Sequence, residues 1–80
     1  MNDELNVRII FANRLRYLRK KHRMSQKELS AFTGVSVRRI QMWEYAKREA
    51  DYTHLLRLAM VFSVRIDFLL GDTECERRYC

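Results

Sequence analysis

Residues 36–42 read Ser-Val-Arg-Arg-Ile-Gln-Met, which sets two guanidinium groups, an amide, a hydroxyl and a thioether close together. Arginine carries a planar fork that bonds guanine O6 and N7 together, and glutamine can do the same with adenine N6 and N7. A valine or methionine beside them can touch a thymine methyl group. If these residues form a helix, about 100° per residue separates two sides. Ile40, Trp43 and Glu44 fall on one side, with Val37 near its edge. Arg38, Gln41, Met42 and Tyr45 fall on the other, flanked by Arg39. The apolar side must pack on the rest of the chain, so the arginine side faces out. Val37, Arg38, Arg39, Gln41 and Met42 are therefore the candidate base-reading residues of a DNA major groove. Ser36 and the helix N-terminus suit a phosphate oxygen. The bland alternative for two adjacent arginines is a solvated helix face. Met42 has two roles open to it, contact with bases or simple tolerance at the surface.

What must position these residues is the stretch before them, Met24 to Glu44. Ser25 followed three residues later by Glu28 is a capping box, with Met24 and Leu29 as its hydrophobic staple. Gly34 ends that helix, because glycine enters the left-handed conformation of a helix stop at no steric cost. Ser36 then caps a second helix, with Val35 and Ile40 as staple. Only a tight turn fits between Phe32 and Val37, so the two helices cross steeply, as in a helix-turn-helix.

The chain has 80 residues and a formal net charge of +6. Its first 50 residues hold 12 Lys and Arg against 5 Asp and Glu, whereas the remaining 30 hold 4 against 5. The basic part is the one that contains the paired helices. Such a field attracts a polyanion and makes binding weaken with salt, although scattered lysines also serve as a solubilising surface. Proline is absent and glycine occurs twice, so short-joined helices are expected throughout. No apolar run reaches membrane-spanning length and no signal peptide opens the chain, which predicts a cytoplasmic protein without a membrane partner. One domain over residues 1–72 and a charged tail over 73–80 account for the sequence, with no room for a separate sensing or catalytic domain.

The segments SQKELSAFTGVSVRRIQMWE and LLRLAMVFSVRIDFLLG resemble the Cro/C1-type (XRE-like) helix-turn-helix family of lambda-repressor-like domains. The likeness runs from about Ile9 to Gly71. It is carried by the SQ-x-x-L opening, Gly34, Val35-Ser36, Ile40, Trp43-Glu44, Leu55, Leu58-Ala59 and Asp67-x-Leu69-Leu70-Gly71. It implies an all-α bundle of five short helices with residues 36–45 as the reader. It also implies that Gln26 touches the sugar-phosphate backbone, that Lys47 and Arg48 hold phosphates, and that a basic residue near Arg19 pairs with Glu44. The chain departs from the family at Ala46 and Ser63, where glycine is usual, and at Ala50, where proline is frequent.

Elsewhere, Phe11, Leu15 and Leu18 form the buried stripe of a helix expected over Asn6–His22, with Ile10 beside them. Its arginines, Arg8, Arg14 and Arg16 among them, are expected mostly in solvent. Trp43 lies on the core side of its helix. Tyr45 and Tyr52 bracket a loop, where their hydroxyls could bond phosphates or their rings could be half-buried packing. Asp51 is a plausible cap for a helix carrying Leu55, Leu58, Ala59 and Phe62. Val64, Ile66, Leu69 and Leu70 fit a last short helix stopped by Gly71. Val61, Phe62, Ile66 and Phe68 are candidates for a homodimer interface, or else complete the monomer core. Two readers in a symmetric dimer stand about 34 Å apart, in successive major grooves.

His22, His54, Cys75 and Cys80 show no metal-ligand spacing, so no metal, small-molecule cofactor or catalysis is expected. Cys75 and Cys80 are expected as free thiols in a reducing compartment, with a redox-controlled disulfide as the lesser alternative. Capping accounts for Ser25 and Ser36, which have no histidine base nearby. The sequence thus points to a homodimeric repressor that binds double-stranded DNA at an inverted repeat. The alternative is a protein-interaction module or antitoxin that works through apolar helices over residues 55–70.

Overall fold

Capping side chains and left-handed stops mark most of the helix boundaries. The computed structural model describes residues 3–76, as α1 (Asp3–Lys21), α2 (Gln26–Thr33), α3 (Val37–Glu44), α4 (Tyr52–Phe62) and α5 (Ile66–Leu70). The five-helix, all-α order expected from the sequence is the one found, although α1 starts three residues before the expected Asn6. Ser25 Oγ accepts from the Glu28 N–H at 3.0 Å, and Glu28 Oε1 accepts from the Ser25 N–H at 2.9 Å, closing the capping box. Ser36 Oγ accepts from Arg39 N at 3.2 Å and Asp51 Oδ1 from His54 N at 2.9 Å, so α3 and α4 are capped as well.

The helix ends share one device. Arg23, Gly34, Ala46, Ser63 and Gly71 all have positive φ, between 54° and 82°. The residue after four of these stops bonds back across the last turn: Met24 N to Arg19 O, Lys47 N to Met42 O, Val64 N to Ala59 O and Asp72 N to Asp67 O. These bonds satisfy carbonyls that a helix end otherwise leaves open. Three of the five stops lack glycine. Ala46 and Ser63 thus occupy left-handed positions, which explains why glycine is usual there in similar chains. Gly71 has a further reason: a Cβ there would meet Ile10 Cγ2 at 2.6 Å.

The core joins all five helices. Leu15, Leu18, Leu29, Ile40 and Leu69 are fully buried, with Trp43 and Leu58 almost so. Phe11 meets Trp43 edge-on at 5.9 Å between ring centroids, a favoured aromatic geometry. Thr33, buried in the turn between α2 and α3, donates from Oγ1 to Leu29 O at 2.8 Å and accepts from Val35 N at 3.3 Å. Arg57 on α4 reaches the Thr33 carbonyl at 2.9 Å and so ties α4 to the end of α2.

Several expectations need correction. Phe62 and Phe68, proposed for a dimer interface, are 3% and 6% exposed. α5 packs on α1, and α4 packs on α5 and α2, so both rings complete the monomer core. Arg14 is not in solvent. Its Nη1 donates to Phe68 O at 2.9 Å and to Thr73 O at 2.7 Å, and its guanidinium lies 4.2 Å from the Phe68 ring centroid. Arg8 also turns inward, with Nε buried and without a hydrogen-bond partner among the described residues, while Nη1 donates to Lys47 O at 3.4 Å. At about 100° per residue, Arg8 and Arg14 lie only about 60° either side of Phe11, at the edges of the buried stripe.

Residues 73–76 lie back against α1. Tyr17 donates to Glu76 Oε2 at 3.1 Å, Lys21 pairs with Glu76 Oε1, and Arg65 N donates to Glu76 O at 3.3 Å. The free-thiol expectation fails for Cys75, which is disulfide-bonded. That expectation came from compartment chemistry alone. Cys80 lies outside the described residues.

Candidate nucleic-acid interface

The outer face of α3 is held from behind. Ile40 and Trp43 fix its inner side in the core, and Glu44 is only 3% exposed despite its charge. Two bonds from Arg19 compensate that burial, Nε to Oε2 at 2.7 Å and Nη2 to Oε1 at 3.0 Å. Arg19 also donates from Nη1 to Met24 O at 3.0 Å, and the bond to Glu44 raises its pKa above the ordinary arginine value. The expected Arg19–Glu44 pair is thus formed. It binds α1 to α3, whose register decides which side chains point outward.

Arg38 and Arg39 are exposed, and Val37, Gln41 and Met42 are half-exposed. Ser36, Arg38, Arg39, Met42 and Arg48 line one concavity of about 280 Å³ beside the N-terminal half of α3. Three guanidinium groups around a hydroxyl and a thioether make a cationic recess with an apolar patch. Its chemistry suits phosphate oxygens together with base edges. The structure therefore brings together Ser36, Arg38, Arg39, Met42 and Arg48. Val37 and Gln41 are on the same helix but outside that recess. Lys47 and Tyr45 are exposed at the C-terminal end of α3. Tyr52 is also exposed, so neither tyrosine that brackets the loop is packing residue.

Gln26 stands apart from its expected surroundings. Its Nε2 donates to Glu44 Oε1 at 3.2 Å, and its Oε1 accepts from Gln41 Nε2 at 3.2 Å. It thus joins the start of α2 to α3. Sequence reasoning missed this link because the partners lie 15 and 18 residues away on another helix. A second concavity of about 200 Å³ adjoins the first, lined by Arg39, Trp43, Arg48, Glu49, Asp51 and His54. There the His54 ring packs on Trp43 at 5.4 Å and its Nδ1 lies 2.7 Å from Asp51 Oδ1. The backbone N–H of His54, more than any nearby charge, holds the Asp51 carboxyl below its ordinary pKa. Among the described residues, no group of three or more His, Cys, Asp or Glu could hold a metal ion, and no helix is long and apolar enough to cross a membrane.

Comparison with known proteins agrees with this geometry. The helix-turn-helix family HTH_3 matches residues 15–69. An uncharacterized HTH-type transcriptional regulator of Bacillus subtilis, YobD, is 28% identical over 65 residues, 81% of this chain and 58% of that protein. The chain therefore spans little more than half the length of this relative. The crystal structure of an HTH_3 family transcriptional regulator from Vibrio cholerae superposes with a TM-score of 0.77 at 20% identity. It covers 86% of this chain and 39% of that one, and shares the fold. By its matched residues and by its architecture, the chain belongs to the HTH_3 family, the Cro/C1-type helix-turn-helix domains of DNA-binding transcription regulators.

Proposed function

We infer that this chain reads double-stranded DNA as a homodimeric repressor, with α3 in the major groove of each half of an inverted repeat. The observation that carries the reading is the cationic recess of Ser36, Arg38, Arg39, Met42 and Arg48 on the outer face of α3. Val37, Arg38, Arg39, Gln41 and Met42 select bases, while Gln26, Ser36, Tyr45, Lys47 and Arg48 contact the phosphate backbone. Repression follows by exclusion: an operator overlapping a promoter, once occupied, is closed to polymerase.

Pairing is supported by the outer face of α4. Leu56 and Met60 are exposed beside half-buried Val61, and with Thr53 and Arg57 they line an apolar concavity. Ile66 on α5 is half-buried and stays a candidate; Phe62 and Phe68, committed to the core, do not.

Selection of duplex oligonucleotides from a random pool at moderate salt tests the reading. The expected outcome is an enriched inverted repeat with half-site centres about one helical turn apart. Failure to enrich any sequence would favour a protein-interaction module working through the apolar α4 face. A reporter whose promoter overlaps the selected site should fall in expression; a rise would refute repression.

A further inference from the structure

Two arginines of α1 turn inward and use their donors differently. Arg19 sets its Nε and Nη2 edge against both oxygens of Glu44, the side-on fork that a carboxylate fills best. Among the described residues Arg8 donates only from Nη1, to Lys47 O at 3.4 Å, and its Nε is buried without an acceptor. Arg8 lines a concavity of about 170 Å³ between α1, the 45–51 segment, α4 and α5. Val7, Phe11, Ala50, Leu55 and Leu70 make the rest of its wall apolar, with Glu49 as its one carboxylate. Glu49 is exposed and also lines the recess of Arg39 and Arg48. No ion pair joins it to Arg8 among the described residues.

A desolvated charged donor without an acceptor is unfavourable, so a guest of this cavity should supply one. The walls ask for an apolar body. An apolar cavity of about 150 Å³ holds benzene, which limits the guest to about one six-membered ring.

We propose that this cavity binds a small apolar monocarboxylate. Its carboxylate takes the Nε–Nη2 edge of Arg8, and its body rests on Phe11, Leu55 and Leu70. Nη1 stays on the Lys47 carbonyl, so guest and backbone hold the guanidinium together. Lys47 directly follows the left-handed stop at Ala46, in the segment that supplies the proposed phosphate contacts Lys47 and Arg48. Fixing Arg8 fixes that segment, and a loop ordered beforehand loses less freedom on binding. Occupancy thus tightens DNA binding, and by reciprocity DNA tightens the guest by the same factor. The site stands independently of the DNA reading; only this coupling rests on it.

The test uses benzoate as probe, titrated into the full chain and followed by NMR at the Arg8 Nε–H and the Leu55 and Leu70 methyl groups. Saturable shifts at all three are expected, with a Kd of about 1 mM. Benzamide has the shape without the charge and acetate the charge without the body, so each should bind about tenfold more weakly. Arg8→Met keeps an apolar stem and should lose benzoate affinity by about tenfold. If that variant does not fold, the benzamide comparison decides alone. Equal binding of benzoate and acetate would mean an adventitious anion only and overturn the site. Shifts centred on Arg38, Arg39 and Arg48 would move the anion to the outer face of α3 and overturn it too. So would a failure to saturate by about 10 mM, which would leave the Arg8 Nε–H to water. With the selected duplex, saturating benzoate should tighten binding about fivefold. Unchanged or weakened DNA affinity with benzoate still bound would overturn the coupling and leave the site standing. If no duplex is selected, the DNA reading fails while the titration still judges the site.

Discussion

The two faces of α3 are built on opposite terms. The inner face is over-determined: Ile40 and Trp43 are sealed in the core, and Glu44 is held by three side-chain hydrogen bonds from Arg19 and Gln26. On the outer face, Arg38 and Arg39 stand in solvent beside Met42, around a recess rather than in a contact. One helix therefore divides its residues between folding and recognition. The division teaches that changes on the two faces should be read out by different measurements.

The largest effect should come from breaking the inner face. Glu44→Ala leaves the Arg19 guanidinium part-buried without its carboxylate and should cost about 3 kcal/mol or more of unfolding free energy. Urea denaturation measures it, and a loss below about 1 kcal/mol would mean that the pair behaves like a screened surface one. Arg38→Ala sharpens the contrast from the other side. It should weaken binding to the selected site by roughly 1–3 kcal/mol and relax preference at one base position. Its unfolding free energy should move by no more than about 0.5 kcal/mol. Even weakening across all sequences would make Arg38 a phosphate contact instead.

Where the two faces end together, at Ala46, a smaller gain is expected. The left-handed backbone costs an alanine about 1–2 kcal/mol, and glycine's extra chain entropy offsets roughly 0.5–1 of it. Ala46→Gly should thus stabilise the domain by about 0.5–1 kcal/mol, seen as a higher Tm, with base preference unchanged. A lower Tm would show that the alanine methyl is making contacts worth more than the strain.

The smallest effect lies in the cleft where Trp43 of the inner face and Arg39 of the outer face meet. Asp51 has a folded pKa below its ordinary value, chiefly through the His54 N–H. Its contribution to stability is therefore complete above the ordinary aspartate pKa and is lost as pH falls through the depressed folded one. Asp51→Asn should flatten that part of the acid limb in a denaturation series; an unchanged limb would assign the acid sensitivity to other carboxylates.

How legible a feature was depended on its reach along the chain. The box at Ser25 and Glu28, the Gly34 stop and the caps at Ser36 and Asp51 all act over a few residues, and the sequence states them outright. The division of α3 into two faces was equally readable, because helical periodicity and the tryptophan fix it. Arg8 and Arg14 lie at the edges of the buried stripe, where the helical wheel alone points them toward solvent. A long side chain at the edge of a buried stripe can instead reach carbonyls on other segments. Phe62 and Phe68 could not be divided between core and interface, since that depends on which side of α4 meets α2 and which side of α5 meets α1. The Gln26–Gln41 bond joins residues on separate helices, and no spacing rule reports it.

The helix stops at Arg23, Ala46 and Ser63 have one more consequence. Each holds an L-residue in a conformation that glycine would take more comfortably, and none of the three is among the candidate DNA contacts. The domain therefore sits below the stability its own architecture permits. New base preferences arise through trial changes on α3 and α2, many of which weaken a small fold. Single replacements at these turns restore what such changes remove, leaving the recognition surface free to drift toward another operator.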